Sequence, residues 1–339
     1  MSAPDRGRAG SHQRVAVIGA GLMGSGIAQV FAYAGHEVRL FDQDFLVAGN
    51  APERIRNQLS ALGHDPSIVD SVLPATDLAT AVGDVSLVIE CVKEDLATKR
   101  ALFAEVEPLV DPDTVLASNT SVIPISQIME GLARPERALG THWWNPPYLV
   151  PLVEVVGTAS TSAEVVAEMM SLLAAIGKIP VHVRRDVPGF IGNRLQHAMW
   201  REAIALVADG VCDAATLDLV VKNSFGMRLG VLGPMENADL VGLDLTLAVH
   251  RTLFPDLARD TAPSTLLQTL VAQGHLGMKT GGGFQVWPEP DQAEVRTALV
   301  ERLRYPGPEG TRRAVNRSRP ATDADSPRAE RPLWSANVA

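Results

Sequence analysis

Six consecutive residues, Gly19-Ala20-Gly21-Leu22-Met23-Gly24, constrain what this chain can fold into more tightly than any other stretch. They follow an apolar run, RVAVIG from Arg14, with the composition of a buried strand, and they open a stretch reaching Gly35 with apolar residues at helical spacing. HEVRLFD, residues 36–42, then reads as a second strand. Each glycine in such a strand-to-helix turn has its own reason. Gly19 permits the tight turn, Gly21 lets the main chain approach a bound group, and Gly24 lets the helix pack closely on the sheet. The helix start, with Leu22 and Met23 in its first turn, offers unbonded N–H groups and the positive end of the helix dipole, so a pyrophosphate is the expected guest. Asp42, 18 residues past Gly24, can accept hydrogen bonds from both ribose hydroxyls of an adenosine and would repel a 2'-phosphate. No Lys or Arg stands between Asp42 and Arg54. These residues point to NAD rather than NADP; the plainer role for Asp42 is to cap the segment that follows.

Further strands are expected in DVSLVIE (84–90), TVLASN (114–119), RALGTHW (137–143) and LVEVV (152–156), with helical stretches between several of them. That alternation implies an α/β fold with a mostly parallel, doubly wound sheet of Rossmann type. After Val183 the pattern changes, and NRLQHAMWREAIALVADG, AATLDLVVKNS and LVGLDLTLAVHRTL carry only helix signals. The expected organisation is an N-terminal nucleotide-binding domain over 13–186 and an all-helical domain over 187–304, consistent with a chain of 339 residues at about 150 per domain. Residues 1–12 and 305–339, the latter rich in Pro, Arg and small polar residues, are expected to be disordered.

Composition narrows the partners. A formal net charge of -9 leaves no excess of cations to meet phosphates, which argues against nucleic acid. Only Cys91 and Cys212 are present, without metal-ligand or redox spacing, so neither a disulfide framework nor a metal site is expected, and a reducing, cytoplasmic compartment fits. No stretch has the roughly 18 apolar residues of a membrane span or the core of a signal peptide.

A nucleotide-binding sheet says which cofactor binds, not which reaction follows. Of eight histidines, His142 alone ends an apolar strand inside a polar and aromatic cluster, THWWNPP. Twelve residues later Glu154 interrupts the apolar PLVEVVG, where an unpartnered carboxylate would be costly. If NPPYLVP turns the chain back, carboxylate and imidazole meet, and the pair becomes the acid/base device that an alcohol oxidation requires. Trp143 and Trp144 most simply belong to the core, with at least one facing opposite its neighbour.

With these landmarks in order (GAGLMG, IECVKEDLATK, ASNTS, HWWNPPYLVPLVEVV, DVPGFIGNRL and LGMKTGGGF), the chain resembles the 3-hydroxyacyl-CoA dehydrogenase family over nearly all of residues 14–287. The resemblance implies an NAD-dependent oxidoreductase of fatty-acid metabolism that passes hydride between C3 of a small-molecule substrate and the nicotinamide. It implies proton transfer by His142, oriented by Glu154, with Ser121 and Asn193 donating to substrate oxygens. It places Glu94, Lys99, Asn145 and Lys279 at further NAD-contact positions, and it implies a homodimer made by the helical domain. Read on their residues alone, Ser121 and Asn193 serve equally well as helix caps, Glu94 or Asp95 as a first-turn acid, and Lys99 as a solvated helix residue.

One stretch departs from the fatty-acid-oxidising members, whose longer lysine-rich insertion meets the phosphates of CoA. Between the second strand and Pro74 this chain offers only Arg54 and Arg56 as cations. NPPYLVPLVEVV and GMRLGVLGPMEN are similar to the L-gulonate 3-dehydrogenase and lambda-crystallin branch, whereas LGMKTGGGF is similar to the acyl-CoA branch. The alternatives to an acyl-CoA substrate are a small free 3-hydroxy acid such as gulonate or carnitine, and a non-catalytic NAD-binding protein of crystallin type.

Overall fold

The computed structural model describes residues 12–304, so the expected disorder at both ends concerns positions outside the described residues. Eight strands form one sheet: β1 Arg14–Ile18, β2 Glu37–Phe41, β3 Val72–Pro74, β4 Leu87–Glu90, β5 Val115–Ser118, β6 Ala138–Trp143, β7 Leu152–Val156 and β8 Ile179–Val183. Their order is β3-β2-β1-β4-β5-β6-β7-β8, and every neighbouring pair is parallel except β6 with β7. Sequence patterning missed β3 and β8. The first is three residues ending in proline, and the second is an edge strand whose residues are mostly exposed, so neither carries the apolar alternation of a covered strand.

Helices cover both faces, as the alternating direction of strand side chains requires. Val15 and Val17 of β1 point into one core, built with α1 (Leu22–Tyr33), α2 (Phe45–Leu62) and a later helix over Ala163–Ala175. Ala16 and Ile18 point into the other, built with α3 (Leu78–Val82), α4 (Leu96–Val106) and α5 (Ile125–Ile128); the helix over Ala163–Ala175 is α6. Residues such as Phe31, Ile55, Leu59 and Phe103 are essentially inaccessible, and each contributes about 1.5–3 kcal/mol through burial. Side-chain caps define the helix starts: Asp44 accepts from the Leu46 N–H and Asp95 from the Thr98 N–H, so of Glu94 and Asp95 it is Asp95 that serves the helix start, as the N-cap of α4, whose first turn holds no acid. Gly63, with φ 76°, ends α2 in the left-handed conformation.

The chain leaves the sheet through DVPGF, where Gly189 (φ 73°) and Phe190 (φ 51°) both take positive φ. A phenylalanine held there costs on the order of 1–3 kcal/mol and persists only where packing dictates it; the Phe190 ring is 1% exposed in the second core. Beyond it come α7 (Gly192–Ala208), α8 (Ala214–Lys222), α9 (Pro234–Val241), α10 (Leu243–Leu253), α11 (Thr265–Ala272) and α12 (Glu289–Arg304). Apolar rows at helical spacing pack helix on helix where a core closes around them, and here that packing meets a limit. From Ile191 to Arg304 no residue is buried, and Leu195, Val211, Leu219, Met235, Leu243 and Val286 are each more than half exposed. The helices form, but one copy of the chain does not close a core around them.

Candidate active site

His142 and Glu154 are directly paired residues of the antiparallel β6 and β7. NPPYLVP does turn the chain back, and the register puts both side chains on the same face of the sheet. His142 Nδ1 lies 2.7 Å from Glu154 Oε2, with His142 3% and Glu154 2% exposed. The other carboxylate oxygen accepts the N–H groups of Ile191 at 2.9 Å and Gly192 at 3.1 Å, at the start of α7. Burial pushes the Glu154 pKa up, but the bonds from His142, Gly192 and Ile191 outweigh it and hold the group below the ordinary glutamate value. One carboxylate thus orients the imidazole and holds, from a distant strand, the chain where the first helix beyond the sheet begins.

The same helix start gathers the other two residues. Asn193 Nδ2 donates to the main-chain oxygen of Ser121 at 2.8 Å. Neither residue caps a helix: α7 has no side-chain cap, and the first N–H groups of α5 are taken from a distance by Asp186, whose oxygens accept from Ile125 at 3.0 Å and Ser126 at 2.7 Å. Ser121, His142, Glu154 and Asn193 are therefore linked through the main chain at the mouth between β5, β6 and α7. Aromatic rings flank them, with Trp144 5.1 Å and Phe190 5.6 Å from the imidazole by ring centroids. The two tryptophans do face opposite ways: Trp143 is buried in the first core beside Phe31, while the Trp144 ring lies over Gly192, where a Cβ would sit 2.4 Å from it. Phe190 and Gly192 escaped the sequence reading because their proximity to His142 arises only from folding, whereas Trp144, read most simply as core, lies against the imidazole.

After β1 the glycine turn behaves as its spacing predicts. A Cβ on Gly19 (φ 99°) would meet the Cys91 carbonyl oxygen at 2.5 Å, and one on Gly24 would meet the Gly19 carbonyl oxygen at 1.7 Å. Beside Gly21 nothing lies within 4 Å. The first turn of α1, with Leu22 exposed and Met23 half-buried, has no side-chain cap and no acidic residue, so its N–H groups are available to an anion. Asp42 ties the segment that follows it to the glycine turn: Oδ1 accepts from the Asp44 N–H at 3.0 Å, Oδ2 accepts from the Ala20 N–H at 2.8 Å, and the side chain stays half-buried at the turn. Arg54, distant in sequence, is brought by α2 to the opposite side of the same peptide, donating to the Ala20 oxygen at 2.7 Å and the Ser25 hydroxyl at 2.9 Å. An open glycine beside uncapped N–H groups and a half-buried carboxylate fits a dinucleotide.

Between the two lies a buried ionic cluster. Lys99 is 1% exposed, which overturns its reading as a solvated helix residue, because two carboxylates meet it in the interior. Its ammonium is 2.6 Å from Glu90 and 3.2 Å from Glu94, with the Val92 oxygen at 3.4 Å. Burial raises the pKa of the wholly inaccessible Glu90, opposed by Lys99, Ser118 and the Val92 N–H. For Glu94 burial acts the same way, yet the Thr120 hydroxyl, the Lys99 ammonium and the Ser121 N–H more than offset it and depress the pKa. Asn145 is exposed at the head of the NPPYLVP loop. That loop is held by Lys178, whose ammonium donates to the Pro147 and Val150 oxygens and lies over the Trp143 ring. Burial pushes Lys178 down to about 8. Lys279 is exposed on the short turn Met278–Thr280, and among the described residues no hydrogen bond or ion pair ties it to this cluster. Among the described residues no group of His, Cys, Asp and Glu could hold a metal ion, and no helix is long and apolar enough to cross a membrane.

Comparison with known proteins agrees with this geometry. The profile described as 3-hydroxyacyl-CoA dehydrogenase, NAD binding domain, matches residues 14–187, and that described as 3-hydroxyacyl-CoA dehydrogenase, C-terminal domain, matches residues 189–287. The chain is 37% identical over 293 residues to 5-formyl-3-hydroxy-2-methylpyridine 4-carboxylate 5-dehydrogenase of Mesorhizobium japonicum, covering 83% of this chain and 93% of that one. It is 36% identical over 285 residues to a probable 3-hydroxybutyryl-CoA dehydrogenase of Bacillus subtilis, covering 82% of this chain and 98% of that one. A crystal structure of a 5-formyl-3-hydroxy-2-methylpyridine 4-carboxylic acid 5-dehydrogenase, described as an NAD+-dependent dismutase, superposes with a TM-score of 0.80 at 32% identity, covering 86% of this chain and 96% of that one. With the glycine turn after β1, the paired His142 and Glu154 on β6 and β7, and both profiles matching in order, the chain belongs to the 3-hydroxyacyl-CoA dehydrogenase family, NAD-dependent enzymes that act on a CH–OH group.

Proposed function

We propose that this protein oxidises the hydroxyl of a 3-hydroxyacyl substrate, with His142 as the acid/base and Glu154 as the group that orients it. The observation that carries the reading is the 2.7 Å contact between His142 Nδ1 and Glu154 Oε2 across directly paired residues. With the Nδ1 proton held by the carboxylate, the lone pair of the neutral ring lies on Nε2, where it can take a hydroxyl proton. NAD, when bound, supplies the hydride acceptor. As the proton passes to Nε2, the C3–O bond becomes a carbonyl and the C3 hydrogen leaves with its electron pair, so the alcohol loses two electrons and two hydrogens. Glu154 then supports the positive imidazolium. Ser121 and Asn193 position the substrate oxygens. Gly19, Gly21, Leu22, Met23, Gly24 and Asp42 hold the dinucleotide, with Glu94, Asn145 and Lys279 as further contacts.

A specific observation favours a second reading, a small free hydroxy acid in place of a CoA thioester. Arg54, one of two cations available after β2 for the phosphates of CoA, is bound to the glycine turn, and Arg56 faces Asp70 at 3.7 Å. The Mesorhizobium relative is named for a carboxylate substrate. We take residues 13–186 as the cofactor unit and 187–304 as the helical unit, whose uncovered apolar surface pairs with a second copy to make a homodimer.

A panel of 3-hydroxy substrates as CoA thioesters and as free acids, followed by NADH absorbance with NAD or NADP, tests these assignments. Turnover with NAD and a 3-hydroxyacyl-CoA is expected under the first reading, and with a free acid alone under the second. No turnover across the panel, or equal use of NADP, would count against both.

A further inference from the structure

The most deeply buried charges in the chain lie away from the reacting groups, and the family reading gives them no account as a unit. Glu90 is wholly inaccessible at the end of β4, and Lys99, 1% exposed, reaches it from α4. Removing two charges from water costs several kcal/mol per ion unless geometry and hydrogen bonds recover it. Here they are well satisfied: Glu90 accepts from Lys99 at 2.6 Å, from the Ser118 hydroxyl at 2.6 Å and from the Val92 N–H at 2.7 Å. Lys99 has three protons and three acceptors, the third partner being Glu94 Oε2 at 3.2 Å.

Glu94 is the outlet of this cluster. Its Oε2 faces Lys99, and its Oε1 accepts from the Thr120 hydroxyl at 2.6 Å, the Ser121 N–H at 2.8 Å and the Val122 N–H at 3.2 Å. The turn suspended from that one oxygen carries Ser121, whose carbonyl receives Asn193, and Val122, whose carbonyl receives the Gly189 N–H. At the base of the same turn, Asn119 Oδ1 accepts the Trp143 N–H at 3.0 Å, beside His142.

We infer that Lys99, braced by Glu90, is a positioning residue that holds Glu94 so that the 120–122 turn presents Ser121 and docks the start of α7. The inference rests on the reading of Ser121 and Asn193 as substrate-binding residues. Without the brace, Glu94, 37% exposed, is free to turn to solvent and the turn loses its fixed acceptor.

The test is the paired variant Glu90→Gln/Lys99→Met, which removes both charges together and so leaves neither buried alone. Amide hydrogen exchange at Ser121 and Val122 is expected to rise about tenfold or more. Turnover at saturating NAD should fall about 10- to 100-fold, because misplacement of a binding residue carries that size of penalty. The substrate KM at saturating NAD should rise as well, because the turn that presents Ser121 has lost its fixed acceptor. Unchanged exchange at both amides would overturn the inference, as would turnover and substrate KM that both stay at the wild-type values at saturating NAD. Should the pair fail to fold, Glu94→Gln at the partly exposed end keeps the volume and is read by the same three measurements. Ser121→Ala separates the two levels: if it leaves substrate KM and kcat unchanged, the role of Ser121 has failed, whereas if it impairs them and the paired variant does not, the brace has failed.

Discussion

Both oxygens of Glu154 are in use, one on His142 and one on the N–H groups of Ile191 and Gly192, so a single side chain orients the imidazole and attaches α7. His142→Gln is expected to lower turnover by about 10²- to 10⁴-fold while leaving NAD binding in place, since the glycine turn is untouched. Glu154→Gln should lower turnover less, and the double variant should lose less than the product of the two factors because both residues act in one transfer. Steady-state kinetics with a separate NAD titration decides it; full multiplicativity would separate the pair. Stability carries its own pH signature. The folded pKa of Glu154 lies below the unfolded value of 4.5, so its contribution is complete above that value and is lost as pH falls through the folded pKa. The stability gap between wild type and Glu154→Gln, from urea unfolding, should therefore be widest near neutral pH and shrink progressively below about pH 4.5. A gap that widens on acidification would contradict the depressed pKa.

At the scale of elements, the strand-turn-helix of β1 and α1 separates packing from binding at neighbouring glycines. A Cβ at Gly24 would overlap the Gly19 carbonyl at 1.7 Å, a main-chain atom that cannot swing aside, whereas a Cβ at Gly21 meets nothing within 4 Å. Gly24→Ala is expected to destabilise the fold by about 1–3 kcal/mol or more and to abolish NAD binding with it. Gly21→Ala should leave stability within about 0.5 kcal/mol but weaken NAD at least tenfold, because the methyl occupies the open side of the turn. Thermal melts with and without NAD distinguish them. If Gly21→Ala binds NAD like the wild type, the dinucleotide does not approach this turn. The β6–β7 hairpin shows how an element sets chemistry through register: a shift of one residue would send His142 into the tryptophan-lined core and Trp143 into the cleft.

For the whole molecule, the contrast lies between a sheet with two closed cores and six helices, α7 to α12, with no buried residue among those described from Ile191 to Arg304. Leu195, Leu219, Leu243 and their neighbours leave far more apolar surface in water than scattered exposed residues account for, which is the mark of an interface. A second copy is the expected cover. Light scattering should give twice the chain mass of 36.2 kDa, and the melting temperature should rise with protein concentration, as mass action demands when folding and association are linked. Leu219→Glu with Leu243→Glu should yield monomers or aggregate; a wild type that is monomeric at every concentration would leave the helical surface without its proposed partner.

The turn from Gly19 to Gly24 and Asp42 beyond it were legible in the sequence because their reasons are local: tight turns, helix starts and strand ends act over a few residues. The paired His142 and Glu154 were legible for a nearby reason, since a hairpin of twelve residues needs only the chain to double back. What only the tertiary structure decided involves charges that meet across elements. Patterning assigns Lys99 to solvent and gives Arg54 no partner, because a cation in a helix is hydrated unless something distant in sequence meets it. Folding brings Glu90 and Glu94 to the first and the Ala20 carbonyl to the second. The short β3 and the exposed β8 are likewise decided by their neighbours in the sheet, whose hydrogen bonds order residues that have no apolar alternation of their own. The helical region shows the same division most fully: its periodicity specifies helices, but whether their apolar faces are covered depends on surfaces that a single chain does not supply.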